Sequence, residues 1–324
     1  MKTHTILEKT APHRPLPAVI RIEPASACNL RCSHCPTGTI DMPRGIMKPE
    51  TFDLLLDQLK PHIPNIRSVV LYHGGEPLVN KHFASMVQKL KQAGVKKVKT
   101  VSNGMLLTDA IARDLANSGL DMIEFSLDGQ NEQENNAVRV NSNFQQVIQN
   151  IQRLIKIKKE TGQNRPEIFI STTQFITPKK LENQISAEAP SYILDAFKDC
   201  PDDIAGYKPT YALVWPHISL NTDLYTTLVD DRPKKDVRSC SYTEETISIR
   251  ANGDVVPCCY DLTSQLVMGN IHAQSLTEIW NGPQYRELYR QFRSREYNHV
   301  CQNCNVVRPE VYLIKTETPQ LVEA

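Results

Sequence analysis

The sequence lacks the features that would send it out of the cell or into a membrane. Its first seventeen residues, "MKTHTILEKTAPHRPLP", hold no apolar core of signal-peptide length. No run approaches the roughly eighteen apolar residues that span a bilayer. The chain is therefore expected to be soluble and cytoplasmic. It also lacks a charge bias. The formal net charge is +1, which gives no global electrostatic case for nucleic acid or an anionic membrane as a partner. Lysine-rich runs such as Lys89 to Lys99 read as a solvated helix face and a strand edge. Internal repeats and low-complexity tracts are absent. With 324 residues, 40% of them hydrophobic, the chain can bury a sizeable core in one large domain or two smaller ones.

Cysteine is not scarce, but the thiols are unevenly placed. Of nine, three lie at 28–35, five at 240–304 and one, Cys200, stands alone. In a cytosolic chain such numbers point to metal or catalysis rather than disulfides. The first group, in "EPASACNLRCSHCPTG", is Cys28, Cys32 and Cys35, spaced C-x3-C-x2-C, and it lacks a fourth thiol. A closed zinc site takes four ligands. Three thiols suggest a metal centre with one position open.

The first two-thirds of the chain alternates strand and helix patterns. Strands are expected at 18–24, 67–72, 95–101, 121–127 and 167–172, with "YKPTYALVW" (207–215) able to supply a last one. Between them, Phe52, Leu55, Leu56 and Leu59, then Phe83, Met86, Val87 and Leu90, then Ile111 and Leu115, follow helical spacing. Phe144, Val147, Ile148, Ile151 and Leu154 mark a strong amphipathic helix. The repeated order predicts an α/β fold, a partial (β/α)6 TIM-like barrel of parallel strands. Ligands bind such sheets at the carboxyl ends of the strands, which is where the three-cysteine loop falls. Further on, "ISIRANGDVVPCC" reads as a β-hairpin around Asn252-Gly253. The stretch 275–294 reads as a helix, a turn at Asn281-Gly282 and a second helix beginning at Pro283. The expected domains are a barrel over 16–217 and a small Cys-rich hairpin/helix module over 236–310.

Thiolates hold iron–sulfur clusters, and three of them leave one iron of a four-iron cubane free. With "CNLRCSHC", followed by "HGGEPL" at 73–78, "VSNG" at 101–104 and "SLDG" at 126–129, the chain resembles the radical S-adenosylmethionine (radical SAM) superfamily over about residues 16–215. The resemblance implies that Cys28, Cys32 and Cys35 ligate a [4Fe–4S] cluster whose open iron is chelated by the amino and carboxylate groups of SAM. One electron then cleaves the sulfonium to methionine and a 5′-deoxyadenosyl radical, which takes hydrogen from a substrate. It also implies a flavodoxin- or ferredoxin-type electron donor.

The side chains suit those roles. Gly74 and Gly75 let backbone approach a ligand closely. Glu76 is matched to the SAM ammonium, and Ser102 and Asn103 to the ribose. Ser126 and Arg139 are matched to the SAM carboxylate, for which the guanidinium fork is suited. Asp128 lies at the same strand end. For Ser102, Asn103 and Asp128 the competing reading is turn chemistry. Alternation places Glu124 on the face of Ser126, and Glu23 on that of Arg21. Each carboxylate is either a SAM or substrate contact or a structural partner of a lumen cation.

In the second group, seventeen residues separate Cys240 from Cys258, and forty-two more lead to the C-x2-C of Cys301 and Cys304. With the helical stretch 269–292 between, this resembles the SPASM extension of radical SAM enzymes. The full pattern has further cysteines after the C-x2-C, and this chain has none after Cys304. The resemblance thus implies the shortened "twitch" form, with one auxiliary [4Fe–4S] cluster on Cys240, Cys258, Cys301 and Cys304 that serves electron transfer. Four thiolates match structural zinc as well. Cys259 is the alternative to Cys258, though the Gly-x4-Cys spacing from Gly253 favours Cys258. Cys200 and Cys259 read as buried small hydrophobes.

The reaction expected is that of a radical SAM oxidoreductase acting on a small molecule, by sugar- or aminocyclitol-type oxidation, epimerisation or decarboxylation. About fifteen residues precede the first strand, too few for a fused leader-binding domain, which tilts the substrate away from a peptide. A peptide-modifying maturase and a non-catalytic Cys-rich metal-binding protein are the alternatives. Tyr207, Lys208, Tyr211 and His217 are candidate polar groups of the substrate pocket.

Overall fold

The computed structural model describes residues 13–175, 188–216, 223–229, 236–309 and 311–315. Six strands follow one another across a parallel sheet: β1 (Val19–Ile22), β2 (Ser68–Val70), β3 (Val98–Ser102), β4 (Met122–Ser126), β5 (Glu167–Gln174) and β6 (Ile204–Tyr211). Helices close the connections: α1 (Pro36–Thr39), α2 (Pro49–Leu59), α3 (Phe83–Gln92), α4 (Asp109–Asn117), α5 (Glu132–Val138) and α6 (Phe144–Glu160). This is the expected partial barrel.

The helices form for readable reasons. Pro49 sits in the first turn of α2, where its missing N–H costs nothing, and Phe52, Leu55, Leu56 and Leu59 bury one face. Thr108 caps α4, and Asn143 caps α6 by accepting from the Gln146 amide at 3.0 Å. Strands β3 and β5 alternate buried and half-buried residues, one face under helices and one toward the lumen. The last barrel strand begins earlier than expected. Pro209 lies inside it, tolerated because β6 is the edge of the sheet. Helix α5 has no apolar periodicity and was not expected. The Asn131 side chain, which accepts from the Glu134 amide at 2.9 Å, starts it.

The C-terminal segment does more than follow the barrel. A hairpin of β8 (Thr246–Ile249) and β9 (Asp254–Val256), with β10 (Gly269–Asn270) beyond, extends the same sheet. Strand β8 lies parallel to β1, Ile20 opposite Ile247, so β1 is flanked by β2 on one side and the hairpin on the other. Gly253 turns the hairpin at φ +88°, as Asn252-Gly253 predicted. The two expected helices are Leu276–Trp280 and Pro283–Ser294, which bury Trp280 and Tyr285. A separate antiparallel pair joins β7 (Tyr225–Val229) to β11 (Val311–Lys315). Among the described residues, no helix is long and apolar enough to cross a membrane.

Candidate functional site

A cavity of about 240 Å³ opens at the carboxyl ends of β1 to β4. Ten of the residues singled out in the sequence line it: Cys28, Cys32, Cys35, Gly74, Gly75, Glu76, Ser102, Asn103, Ser126 and Arg139. They come from four loops that the chain order β1–β2–β3–β4 brings side by side.

The cysteine loop is held from within and from one side. The Cys35 amide donates to the Cys32 carbonyl at 3.1 Å, and the Leu30 amide to the Cys28 sulfur at 3.4 Å. The amides of Arg31 and Ser33 donate to the carbonyls of Val140 and Val138, which pins the loop to the end of α5. Burial pushes the Cys28 thiol up and the Cys32 thiol up to about 12, against the pull of the Arg139 guanidinium. Such thiols ionise when a bound cation compensates the charge.

Gly75 lies where a β-carbon would run into the carbonyls of Ala25 and Ala27. Only glycine lets the second loop press this closely on the cysteine loop. Glu76 follows, its side chain fully enclosed. Its carboxylate accepts from the Leu78 amide (3.0 Å), the Ser102 hydroxyl (2.8 Å) and the Asn103 amide (2.7 Å). Burial raises its pKa, and these three donors oppose the rise. A carboxylate offers about four acceptor positions, so one remains. Asn103 also donates to the Asn29 side chain at 2.9 Å, which ties the third loop to the first.

Asp128 is placed differently from its neighbours. It stands behind the cavity, 1% exposed, and its carboxylate takes the Arg139 Nη1 at 2.6 Å and the Thr173 amide at 2.8 Å. Although burial works the other way, Arg139 and the other donors hold its pKa below the usual carboxylate range. Asp128 thus aims Arg139, whose Nε is buried without an acceptor. The Ser126 hydroxyl lies 3.4 Å from that of Ser171.

The cavity has lining residues that sequence reasoning missed, among them Thr37, Tyr72, His73, Trp215 and Leu262. The last two come from beyond β6 and carry no local motif. Burial lowers His73 to about 4, so the ring is neutral and its Nε2 donates to the Asp261 carbonyl at 3.3 Å.

Both lumen carboxylates are paired to cations. Glu124 accepts from Lys208 at 2.7 Å. Glu23, fully buried, accepts from Arg250 Nε (2.8 Å), the Ala251 amide (3.0 Å) and the Gly74 amide (3.1 Å). It therefore joins β1, the glycine loop and the hairpin. Of the pocket candidates, Lys208 faces the lumen, while Tyr207 packs against the core behind the sheet. Tyr211 meets the Tyr312 ring edge-on at 6.2 Å. His217 lies outside the described residues.

The C-terminal thiols gather from three segments. Cys240 precedes the helix Ser241–Glu244, Cys258 and Cys259 follow β9, and Cys301 and Cys304 bracket one helical turn closed by the Cys304 amide on the Cys301 carbonyl at 3.0 Å. Asn298 caps that turn and donates to the Cys301 sulfur at 3.5 Å. Burial, then the thiols of Cys259, Cys301 and Cys304, raise Cys258 well above its ordinary value. Burial likewise brings Cys301 to about 12, with Cys304 and Cys240 adding to the rise. Cys259 lies beside Arg21. Cys200 is half-buried against the core. Among the described residues, no three His, Cys, Asp or Glu side chains converge as a single metal ion would need. An iron–sulfur cluster has several irons over which its thiolates can be spread.

Comparison with known proteins agrees with this layout. Residues 22–166 match the family model of the radical SAM superfamily, and residues 240–305 match SPASM, described as an iron–sulfur cluster-binding domain. A relative in Pyrococcus furiosus, the tungsten-containing aldehyde ferredoxin oxidoreductase cofactor-modifying protein, is 25% identical over 318 residues, covering 87% of this chain and 85% of its own. Mycofactocin maturase MftC of Mycolicibacterium smegmatis is 24% identical, covering 89% of this chain and 75% of its own. Among solved structures, the crystal structure of BtrN in complex with AdoMet and 2-DOIA shares the fold, with a TM-score of 0.55 at 18% identity, over 90% of this chain and 93% of that one. The radical SAM domain binds SAM and a [4Fe–4S] cluster, and the SPASM domain binds auxiliary iron–sulfur clusters, which replaces zinc as a reading of the second thiol group. The chain belongs to the radical SAM superfamily, with a SPASM domain after its barrel.

Proposed function

We propose that this radical SAM enzyme removes hydrogen from a small molecule and hands an electron of the resulting radical to its SPASM domain, for net oxidation. The observation that carries the reading is the single cavity on which Cys28, Cys32, Cys35, Glu76, Ser102, Asn103, Ser126 and Arg139 converge. A cluster and SAM supply, when bound there, the one-electron cleavage that yields a 5′-deoxyadenosyl radical. The chain's residues do the holding. The three thiolates carry the cluster and leave one iron open. The acceptor position left on Glu76 suits the SAM ammonium. The free Nε of Arg139, aimed by Asp128, suits the SAM carboxylate. Ser102 and Asn103 are engaged with Glu76 and face the ribose side, and Gly74 and Gly75 provide the close backbone approach.

In the C-terminal domain, Cys240, Cys258, Cys301 and Cys304 hold one auxiliary [4Fe–4S] cluster. Cys258 and Cys259 both lie near Cys304, and Cys258 is preferred because it lies near Cys301 as well. The domains divide at 16–217 and 236–310, and a flavodoxin or ferredoxin supplies the electron.

A second reading, a maturase acting on a peptide, is favoured by the similarity to MftC along most of the chain. Anaerobically reconstituted protein with a strong reductant should form 5′-deoxyadenosine from SAM, and a true substrate should accelerate it. No product from iron-loaded protein, with or without candidate substrates, would count against both readings. A short precursor peptide whose mass shifts on reaction would select the second.

A further inference from the structure

The barrel lumen carries charge that the cavity above it does not use. Alternation sends Arg21 of β1, Lys99 of β3, Glu124 of β4 and Lys208 of β6 to the inner face, while their neighbours Ile20, Val98 and Phe125 are buried under the helices. Three cations thus share this face with Glu124, since Glu23 is held by Arg250. Glu124 is spent on Lys208, which also lies 4.3 Å from the centre of the Phe169 ring. Arg21 stacks over Tyr72 at 4.8 Å, and its Nε is buried without an acceptor. Lys99 has no hydrogen bond or ion pair among the described residues. Its half-buried ammonium has a lowered pKa, first from burial and then from Lys208, Arg21 and Lys97, with Glu124 pulling the other way.

A half-buried cation whose nearest carboxylate, Glu124, is already bonded to another cation is poorly compensated, and the lumen keeps Lys99 in that state beneath the site. Val101, two residues further along β3, lines the cavity. Two residues of strand rise about 7 Å, the span of a small metabolite. We infer that the substrate carries an anionic group, a carboxylate or a phosphate, that docks on Lys99 with Arg21 and Lys208 beside it. The inference rests on the hydrogen-removal reading above and names the chemical class of its substrate. The anion anchors one end at the lumen floor, and the other end reaches the cavity where the cysteine loop and Arg139 lie. Arg139 itself is excluded as the anchor, because its free Nε is assigned to the SAM carboxylate.

Equilibrium dialysis tests this with inorganic phosphate and, separately, acetate, against the reconstituted holoenzyme saturated with SAM. Saturating SAM keeps the probe from Arg139. The wild-type chain should bind one of the two anions, and the tighter one identifies the source of the charge. Lys99→Met should weaken binding about tenfold or more, the worth of a charge-assisted contact, and Lys99→Arg should restore most of it. Iron content and SAM affinity certify each variant's fold, and Lys99→Gln replaces Lys99→Met if the latter does not hold iron. Absence of binding to the wild type, or equal binding by the neutral variant, overturns the inference. SAM cleavage without anion binding sinks this inference alone, whereas anion binding without SAM cleavage sinks only the reading on which it rests.

Discussion

The three barrel thiols lie within eight residues of one loop, whereas the C-terminal four are drawn from residues 240–304 and from three segments. The first set is positioned by its own backbone and by the end of α5. The second depends on the hairpin finding its place beside β1, and on the fully buried Glu23 clasping Arg250 and Ala251. A local motif can therefore persist while the assembled one is lost, but both meet one sheet. Loss of the first should end the chemistry, and loss of the second should change its outcome.

The largest expected effect is on the local site. Cys32→Ala should abolish 5′-deoxyadenosine formation, measured by chromatography of the anaerobic reaction, and full retention would refute the three-thiol assignment. Cys301→Ala should act on the other side of the comparison. It should remove about half of the iron, one of two four-iron clusters, and spare part of the SAM cleavage while coupling to substrate fails. Unchanged iron would remove the second site from Cys301. The seam between the two comes next. Arg250→Met leaves the Glu23 carboxylate buried and unpaired, which costs about 3–5 kcal/mol. Denaturant unfolding should show that loss, and Glu23→Gln added to it should restore much of the stability. A double variant as unstable as the single would mean that lost packing, not the stranded charge, is the cause.

The same contrast explains what could be read from the sequence. The cysteine loop, "GGEP" and the barrel strands were legible because each signal sits within a few residues. Glu23 stands one residue beyond β1, and its partner Arg250 is 227 residues away and has no local signature. Its place in "SLDG" sets Asp128 at the ligand's end of the strand, as a contact or a turn residue. It holds Arg139, eleven residues on, because the unexpected helix α5 folds the chain back between them. Trp215 and Leu262 reach the cavity through tertiary packing, and nothing in their neighbours marks them. The β8–β1 pairing could not be read either, since two apolar strands say nothing about which sheet edge they choose.

The smallest effect concerns His73, which spans the seam from the glycine loop. Its Nε2 donates to the Asp261 carbonyl, an oxygen that Arg250 Nη1 also approaches at 3.3 Å. The folded ring is lowered to about 4, mainly by burial, against an ordinary value of 6.5. The unfolded chain therefore binds a proton at this ring as the pH falls through 6.5, and the folded chain does so only near 4. Stability is fully present above the higher value and declines between the two. Between pH 7.5 and 5.5 the loss from this ring alone is about 1 kcal/mol. His73→Gln keeps a donor for Asp261 but has no proton to gain, so its stability should fall less with pH by that amount. Urea unfolding of both proteins at the two pH values measures the difference. Equal slopes would mean that the ring is solvated and charged in the fold, and that the seam is held by Glu23 and Arg250 without it.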